Sequence, residues 1–325
     1  MNPTKAKCSI DMVKVTSTTR ISLGCNCLTL PKYKKLKKSN KGYVFLHKTT
    51  ENIVLIIPTS GKDLFFPSIT VKFLSSWLSP LTFEEVVDVL NFLTSKFQIG
   101  WNLAEFHVAL DLFCSEGATA WIRDHTAALK SRGPKEDEKY PEMYHFQGLR
   151  ASYRQEVYNK SRQLMERYMM EQEKPPWMRR TYLDDAALEE LLTHEIVRME
   201  ARFNNTALGL VPSVESLASW DFSFIRPKYL SILVPDYEKL AKRGIKPKDC
   251  KGLSLAETKR FFTAKGIQNH GYYLKDSPLN TVIKETLAGF RWCSTPGRYP
   301  LITPSLRMRD QGVRFVPQKG WWKNV

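Results

Sequence analysis

The chain has 325 residues and a mass of 37.6 kDa, with 42% hydrophobic content, which supplies a real core for one large domain or two ordinary ones. Lysine and arginine number 49 against 33 acidic residues, and the resulting formal charge of +16 favours polyanionic partners, because neutralising phosphates releases condensed counterions; charge alone fits a merely soluble basic surface equally well. No apolar stretch approaches the roughly 20 residues that span a bilayer. The six scattered cysteines (Cys8, Cys25, Cys27, Cys114, Cys250, Cys293) lack both a disulfide framework and zinc-finger spacing, so the expectation is a soluble protein of a reducing cytosol with no cysteine-bound metal and no membrane partner.

Residues 1–41 form a basic opening segment, in which Lys32, Lys34, Lys35, Lys37 and Lys38 surround Tyr33. That composition suits phosphate contact beside one stacking ring, and a solvated loop equally. Residues 43–48 and 53–57 alternate as the arms of a hairpin, and 65–74 read as a further strand. The period then changes. Thr82 and Glu85 make a capping box ahead of Val86, Val87, Leu90, Leu93 and Phe97 at helical spacing. Residues 106–113 read as a buried strand, followed by a helix from about 117 to 130 with Ser115 as its cap.

After a charged loop, a strand over 149–158 runs directly into a helix over 159–173, which Pro175 and Pro176 end. Asp184 and Asp185 open another helix, and 194–203 form a strand with Ile196, Arg198, Glu200 and Arg202 on one face. Beyond residue 206 helical patterns dominate, with a second capping box at Ser254 and Glu257 and a C-terminal glycine at Gly266. The predicted fold class is α+β: a central, mainly antiparallel sheet covered by helices, with a smaller, mainly helical C-terminal region. The predicted division is 1–41, a catalytic domain over 42–205, and a helical and basic region over 206–325.

Three segments carry the chemistry: Val108-Ala-Leu-Asp-Leu-Phe113, Glu156-Val-Tyr-Asn-Lys-Ser161 and Ile196-Val-Arg-Met-Glu-Ala-Arg-Phe203. Buried strands normally bear apolar side chains. Asp111, Lys160, Arg198, Glu200 and Arg202 therefore need partners, and a phosphate with its metal ion is the simplest common one. A tyrosine beside such a cluster has the makings of a nucleophile that stays joined to the strand it cuts. Structural readings stand beside these: Tyr158 as an aromatic packed at a strand end, Asp111 as a turn cap, and Glu200 as the ion-pair partner of Arg198 or Arg202. His107 and His145 read as hydrogen-bonded core residues, since no His-hydrophobic-His pair is present.

In the order of its segments the chain resembles the rolling-circle replication initiators of small staphylococcal plasmids and, more distantly, the filamentous-phage protein that nicks the viral plus strand. The landmarks are Phe66-Pro-Ser-Ile-Thr-Val-Lys72, Ala109-Leu-Asp-Leu-Phe113, Val157-Tyr-Asn-Lys-Ser161 and Val197-Arg-Met-Glu-Ala-Arg202. The resemblance implies Tyr158 as the nicking residue, with Lys160, Arg198 and Glu200 as catalytic neighbours. It also implies Asp111 and Glu200 as ligands of Mg2+ or Mn2+. The family's arginine two residues before the aspartate is Ala109 here, so either the register of the resemblance shifts by a residue or another base such as Arg150 or Arg154 supplies that charge. With Arg202 and the lysine run, these arginines are the expected DNA contacts. The implied partners are double- and single-stranded origin DNA and the host's helicase and DNA polymerase, in a bacterial cytosol; a homodimer stays open. Competing readings are a non-catalytic sequence-specific DNA binder, a relaxase for DNA mobilisation, and a hydrolytic nuclease with Glu156 or Glu200 as base.

Overall fold

The computed structural model describes residues 3–18, 33–39, 42–47, 53–57, 69–128, 135–136, 144–147, 153–179, 183–204, 214–218, 222 and 230–293. Its strands in the first part of the chain are β1 (Lys5–Ser17), β2 (Tyr33–Ser39), β3 (Gly42–His47), β4 (Ile53–Ile57) and β5 (Thr70–Leu74), followed by helix α1 (Phe83–Phe97) and strand β6 (Trp101–Cys114). Next come α2 (Ala118–His125), β7 (Thr126–Ala128), β8 (Lys135–Glu136), β9 (Tyr144–Gln147) and β10 (Tyr153–Asn159). The helices α3 (Lys160–Gln172) and α4 (Asp185–Thr193) precede β11 (Glu195–Asn204). The remaining elements are α5 (Val214–Ala218), β12 (Leu230–Pro235), α6 (Tyr237–Ala241), α7 (Pro247–Cys250), α8 (Leu255–Ala264), β13 (Leu274–Asp276) and α9 (Leu279–Gly289).

Ten strands form one sheet in the order β2-β3-β4-β5-β1-β6-β11-β10-β9-β8, and β13-β12-β7 form a second, smaller one. The pairings β2–β3, β3–β4, β4–β5, β5–β1, β10–β9 and β9–β8 are antiparallel. This is the predicted α+β class with a mainly antiparallel sheet, and the C-terminal part is mainly helical, as expected. The chain also separates into two compact units interleaved in sequence: Met1–Ser9, Val108–Arg202 and Asp221–Phe290 make one, and Ile10–His107, Phe203–Trp220 and Arg291–Val325 the other.

In the second unit the predicted hairpin is present, with Tyr43 opposite Ile57 and Leu46 opposite Val54. Leu55, Val71, Phe73, Val13 and Val15 are fully buried on its strands. The predicted capping box is present at α1, where the Thr82 hydroxyl accepts from Glu85 N (3.2 Å) and Glu85 accepts from Thr82 N (3.0 Å). The buried face of α1 includes Val86, Val87, Leu90 and Leu93. Trp292 donates to Leu81 O (3.0 Å) and sets its ring edge-on to Phe83, covering the helix entrance.

In the first unit, Val108 to Cys114 are buried without alternation, so both faces of that half of β6 are covered. Two local expectations are corrected here. Helix α2 stops at His125, because Thr126, Ala127 and the following Ala128 pair with β12 instead, a contact from a hundred residues away that outweighs helix propensity. Ser115 is not its cap: Gly117 occupies that position, and the Glu195 carboxylate accepts from Gly117 N (2.6 Å) and Thr119 N (2.7 Å). Residues 240–274 hold a core of their own around Leu240, Ile245, Cys250, Leu255, Phe262 and Ile267. Among the described residues no helix is long and apolar enough to cross a membrane. The described cysteines, Cys8, Cys114, Cys250 and Cys293, are all free thiols. Burial, with the nearby Glu195 carboxylate adding to it, pushes the Cys114 thiol up to about 11, which makes it a packing residue and not a nucleophile.

Candidate functional site

The local sequence at 156–161 turns a strand directly into a helix. Asn159 ends β10 in extended conformation, and its side chain accepts from Arg162 N (2.9 Å), which caps α3. Ser161 fastens the first turn of α3 to β11, donating to His194 O (3.0 Å) and accepting from Ile196 N (2.8 Å). Tyr158 thus lies at the last turn of the strand, and Lys160 at the first position of the helix.

Period-two alternation puts Glu156 and Tyr158 on one face of β10, and Arg198, Glu200 and Arg202 on one face of the neighbouring β11. The tyrosine hydroxyl donates to Glu200 Oε2 (3.3 Å). The other oxygen of Glu200 accepts from Arg202 Nε (2.8 Å), and Arg202 Nη2 reaches Glu156 Oε2 at 2.5 Å. Tyr158, Glu156, Glu200 and Lys160 are all buried, whereas the Arg202 side chain keeps 32% of its exposure and brings the cluster to solvent. Burial works against the charge on Arg202, but the two carboxylates outweigh it and hold the guanidinium above its usual pKa. Lys160 Nζ stands 5.8 Å from the Tyr158 ring centroid and donates to Gln163 Oε1 (2.8 Å).

Asp111, expected as a metal ligand, is gripped by Arg198 through both oxygens, Nε to Oδ1 and Nη2 to Oδ2 at 2.7 Å each, with both side chains almost wholly buried. Among the described residues, the group of side chains placed to hold a cation is a different one. Asp11 on β1, His107 on β6 and Glu200 on β11, three neighbouring strands of the sheet, bring one ligand atom each to within 4.8 Å of one another. One imidazole and two carboxylates fit a divalent ion such as Mn2+, and fit Mg2+ less well because it prefers an all-oxygen shell. Glu200 is the member of this group that the sequence reading also offered as a metal ligand.

His107 also meets Glu105, Nε2 to Oε1 at 3.0 Å, a carboxylate contact of the kind that orients a ligating imidazole. The hydrogen bond with His107 dominates Glu105. Together with the positive charges of His107 and Lys14, it overcomes burial and holds the carboxyl at about 2. A depressed carboxyl pKa stabilises the fold above the ordinary value and loses that contribution as pH falls through the folded one. Glu105→Gln is therefore expected to flatten the fall of Tm between about pH 4.5 and pH 2, modestly, because Glu105 is about a third exposed. An unchanged acid limb in the variant would contradict this.

Of the expected DNA contacts, Lys34, Lys35, Lys37 and Lys38 lie on β2, which pairs with β3 through an irregularity between Lys35 and Lys37, so this stretch is a strand and not a loop. Arg154 lies on β10 opposite Gln147. Lys32 and Arg150 fall outside the described residues. The sequence reading passed over Asp11; His107, read as a hydrogen-bonded core histidine, is buried and bonded to Glu105 and stands in this group as well. The available signal was a lone acid in the apolar run Ile10 to Val15.

No protein-family model matches the chain, and no curated protein does. Among solved structures, the chain is similar to the rolling circle replication initiator protein from Geobacillus stearothermophilus, with 12% identity and a TM-score of 0.42 over 71% of this chain and 88% of that chain.

Proposed function

We propose that this chain is a rolling-circle DNA replication initiator that binds its origin and nicks one strand with Tyr158. The observation that carries the reading is the buried tyrosine hydroxyl bonded to Glu200, a carboxylate that Arg202 also engages and that belongs to the group able to hold a cation. In this proposal the scissile phosphate enters over Arg202, the partly exposed member of the cluster. Glu200 takes the proton of Tyr158, and the phenolic oxygen attacks phosphorus. The P–O3′ bond breaks and the departing 3′ oxygen takes up the proton that Glu200 removed, leaving a 5′-phosphotyrosyl adduct and a 3′-OH primer, and the reverse reaction rejoins the strand without ATP. Lys160 and Arg202 offset the charge gained at phosphorus, while Arg198, neutralised by Asp111, acts as a neighbour that steadies β11 beside them. A divalent ion held by Asp11, His107 and Glu200 would polarise the phosphate. The finer assignments proposed with it are a catalytic domain over 42–205, to which β1 adds Asp11, and DNA contacts from Arg150, Arg154 and the lysines Lys32, Lys34, Lys35, Lys37 and Lys38. Host helicase and polymerase would follow the nick.

The test is to incubate the protein with supercoiled DNA of its own replicon and Mn2+ or Mg2+, quench with detergent, and look for a covalent protein–DNA band. Wild type is expected to give the band and Tyr158→Phe none, with chelation abolishing the wild-type band. Tight binding with no adduct in wild type would instead support the non-catalytic DNA binder, and nicking without an adduct the hydrolytic nuclease.

A further inference from the structure

The small module that contains α6 to α8 carries a surface that the nicking chemistry does not use. Over residues 242–251 the chain alternates anchors and charges: Ile245 and Cys250 are buried in the module's core, while Lys242, Arg243, Lys246, Lys248 and Lys251 are exposed. The one acid in this stretch, Asp249, is also exposed and accepts from Lys246 N (2.8 Å), which leaves the stretch with a net charge of +4. The ribbon is tightly built. Gly244 and Gly252 take left-handed φ values of 71° and 79°, which favour glycine, and turn hydrogen bonds run from Gly244 N to Ala241 O, Ile245 N to Leu240 O, Asp249 N to Lys246 O and Leu253 N to Cys250 O. Arg243 Nε is further held by the Tyr273 hydroxyl (3.2 Å).

Five like charges fixed on ten residues repel one another, and the core beneath needs none of them. A polyanion would turn that repulsion into attraction, and the fixed backbone lowers the cost of ordering on binding. We propose that the 242–251 ribbon is a clamp for the phosphate backbone of duplex DNA, indifferent to base sequence and separate from the Tyr158 cluster. Duplex fits better than single strand, because a single-strand platform offers successive exposed aromatic rings, whereas among the described residues of this module the exposed ring is Tyr272, over which Lys239 stands at 4.5 Å. Nucleic acid fits better than an anionic membrane, which needs an apolar face beside the charges, and here Ile245 and Cys250 point into the core. The choice of ligand rests on the DNA reading above; the surface does not.

The experiment uses the full chain with Lys242, Arg243, Lys246, Lys248 and Lys251 all changed to glutamine, and measures affinity for a random-sequence duplex lacking the origin across a salt series. Each phosphate contact contributes about 0.9 to the slope of log affinity against log salt, so the magnitude of the slope should fall by about 3 to 4, with affinity down roughly 10- to 100-fold at moderate salt. The triple variant Lys246→Gln, Lys248→Gln, Lys251→Gln should give a proportionate part of the change, which keeps the test valid if the fivefold variant folds poorly. Adduct formation on a short single-stranded oligonucleotide should be unchanged, so failure of the Tyr158 reading and failure of the clamp appear in different assays. A slope altered by less than about 1 in both variants would overturn the proposal. So would a loss of binding confined to vesicles of phosphatidylserine and phosphatidylcholine.

Discussion

Glu200→Gln is expected to slow adduct formation by about 10²- to 10³-fold while leaving affinity for duplex DNA within a few-fold of wild type. The substitution keeps the shape and volume of a side chain that is 2% exposed, so packing is preserved. What it removes is the charge that accepts the Tyr158 hydrogen bond, proposed above to take its proton, and that joins Asp11 and His107 in the candidate cation group. Arg202 keeps Glu156 as an anionic partner, so the guanidinium is not stranded. Mn2+ titration read by protein fluorescence should show weakened binding in the same variant. Adduct formation at near wild-type rate in Glu200→Gln would show that the carboxylate only positions Arg202, and the proposed proton acceptor would have to be sought elsewhere.

The second large effect is on stability. Asp111→Ala removes one half of an ion pair in which the two side chains keep 6% and 3% of their exposure, and it leaves the Arg198 charge buried without its bidentate acceptor. Breaking such a pair from one side typically costs about 3–5 kcal/mol, whereas replacing both partners by apolar residues of similar volume recovers much of the loss. Urea unfolding of Asp111→Ala, Arg198→Met and the Asp111→Leu/Arg198→Met double variant measures both statements. If Asp111→Ala unfolds as wild type but loses its response to Mn2+, the aspartate is a metal ligand and the pairing with Arg198 is incidental.

How legible the site was in the sequence depended on whether its contacts were local. Tyr158, Asn159 and Lys160 sit on consecutive positions where a β pattern meets a helix cap, so their placement could be read directly. The alternation of Arg198, Glu200 and Arg202 fixed one face of β11 just as clearly. That Tyr158 meets Glu200 across 42 positions is a fact of strand order, which no local pattern encodes. Asp111 was singled out because a buried acid needs a partner. The sequence could not say whether that partner was an ion or Arg198.

Strand β1 escaped notice for a physical reason. Ile10 and Met12 are buried on even positions, but Val13, Val15 and Ser17 on odd ones, so the buried face switches in mid-strand and simple alternation fails there. With β1 went Asp11. The same logic explains the overlong helix read at 117–130, where the pairing with β12 that cuts it short lies far along the chain.

The capture of two α2 amides by Glu195 bears on the order in which the molecule assembles. An eight-residue segment cannot sustain a helix alone in water, because nucleation costs more than so few turns return. Its first turn is completed only by a carboxylate lying 76 and 78 positions downstream of the two amides it binds. Helix α2 is thus expected to form only once β11 is in place, and its amide protons should exchange with solvent in step with that strand; exchange of α2 well before β11 would contradict this.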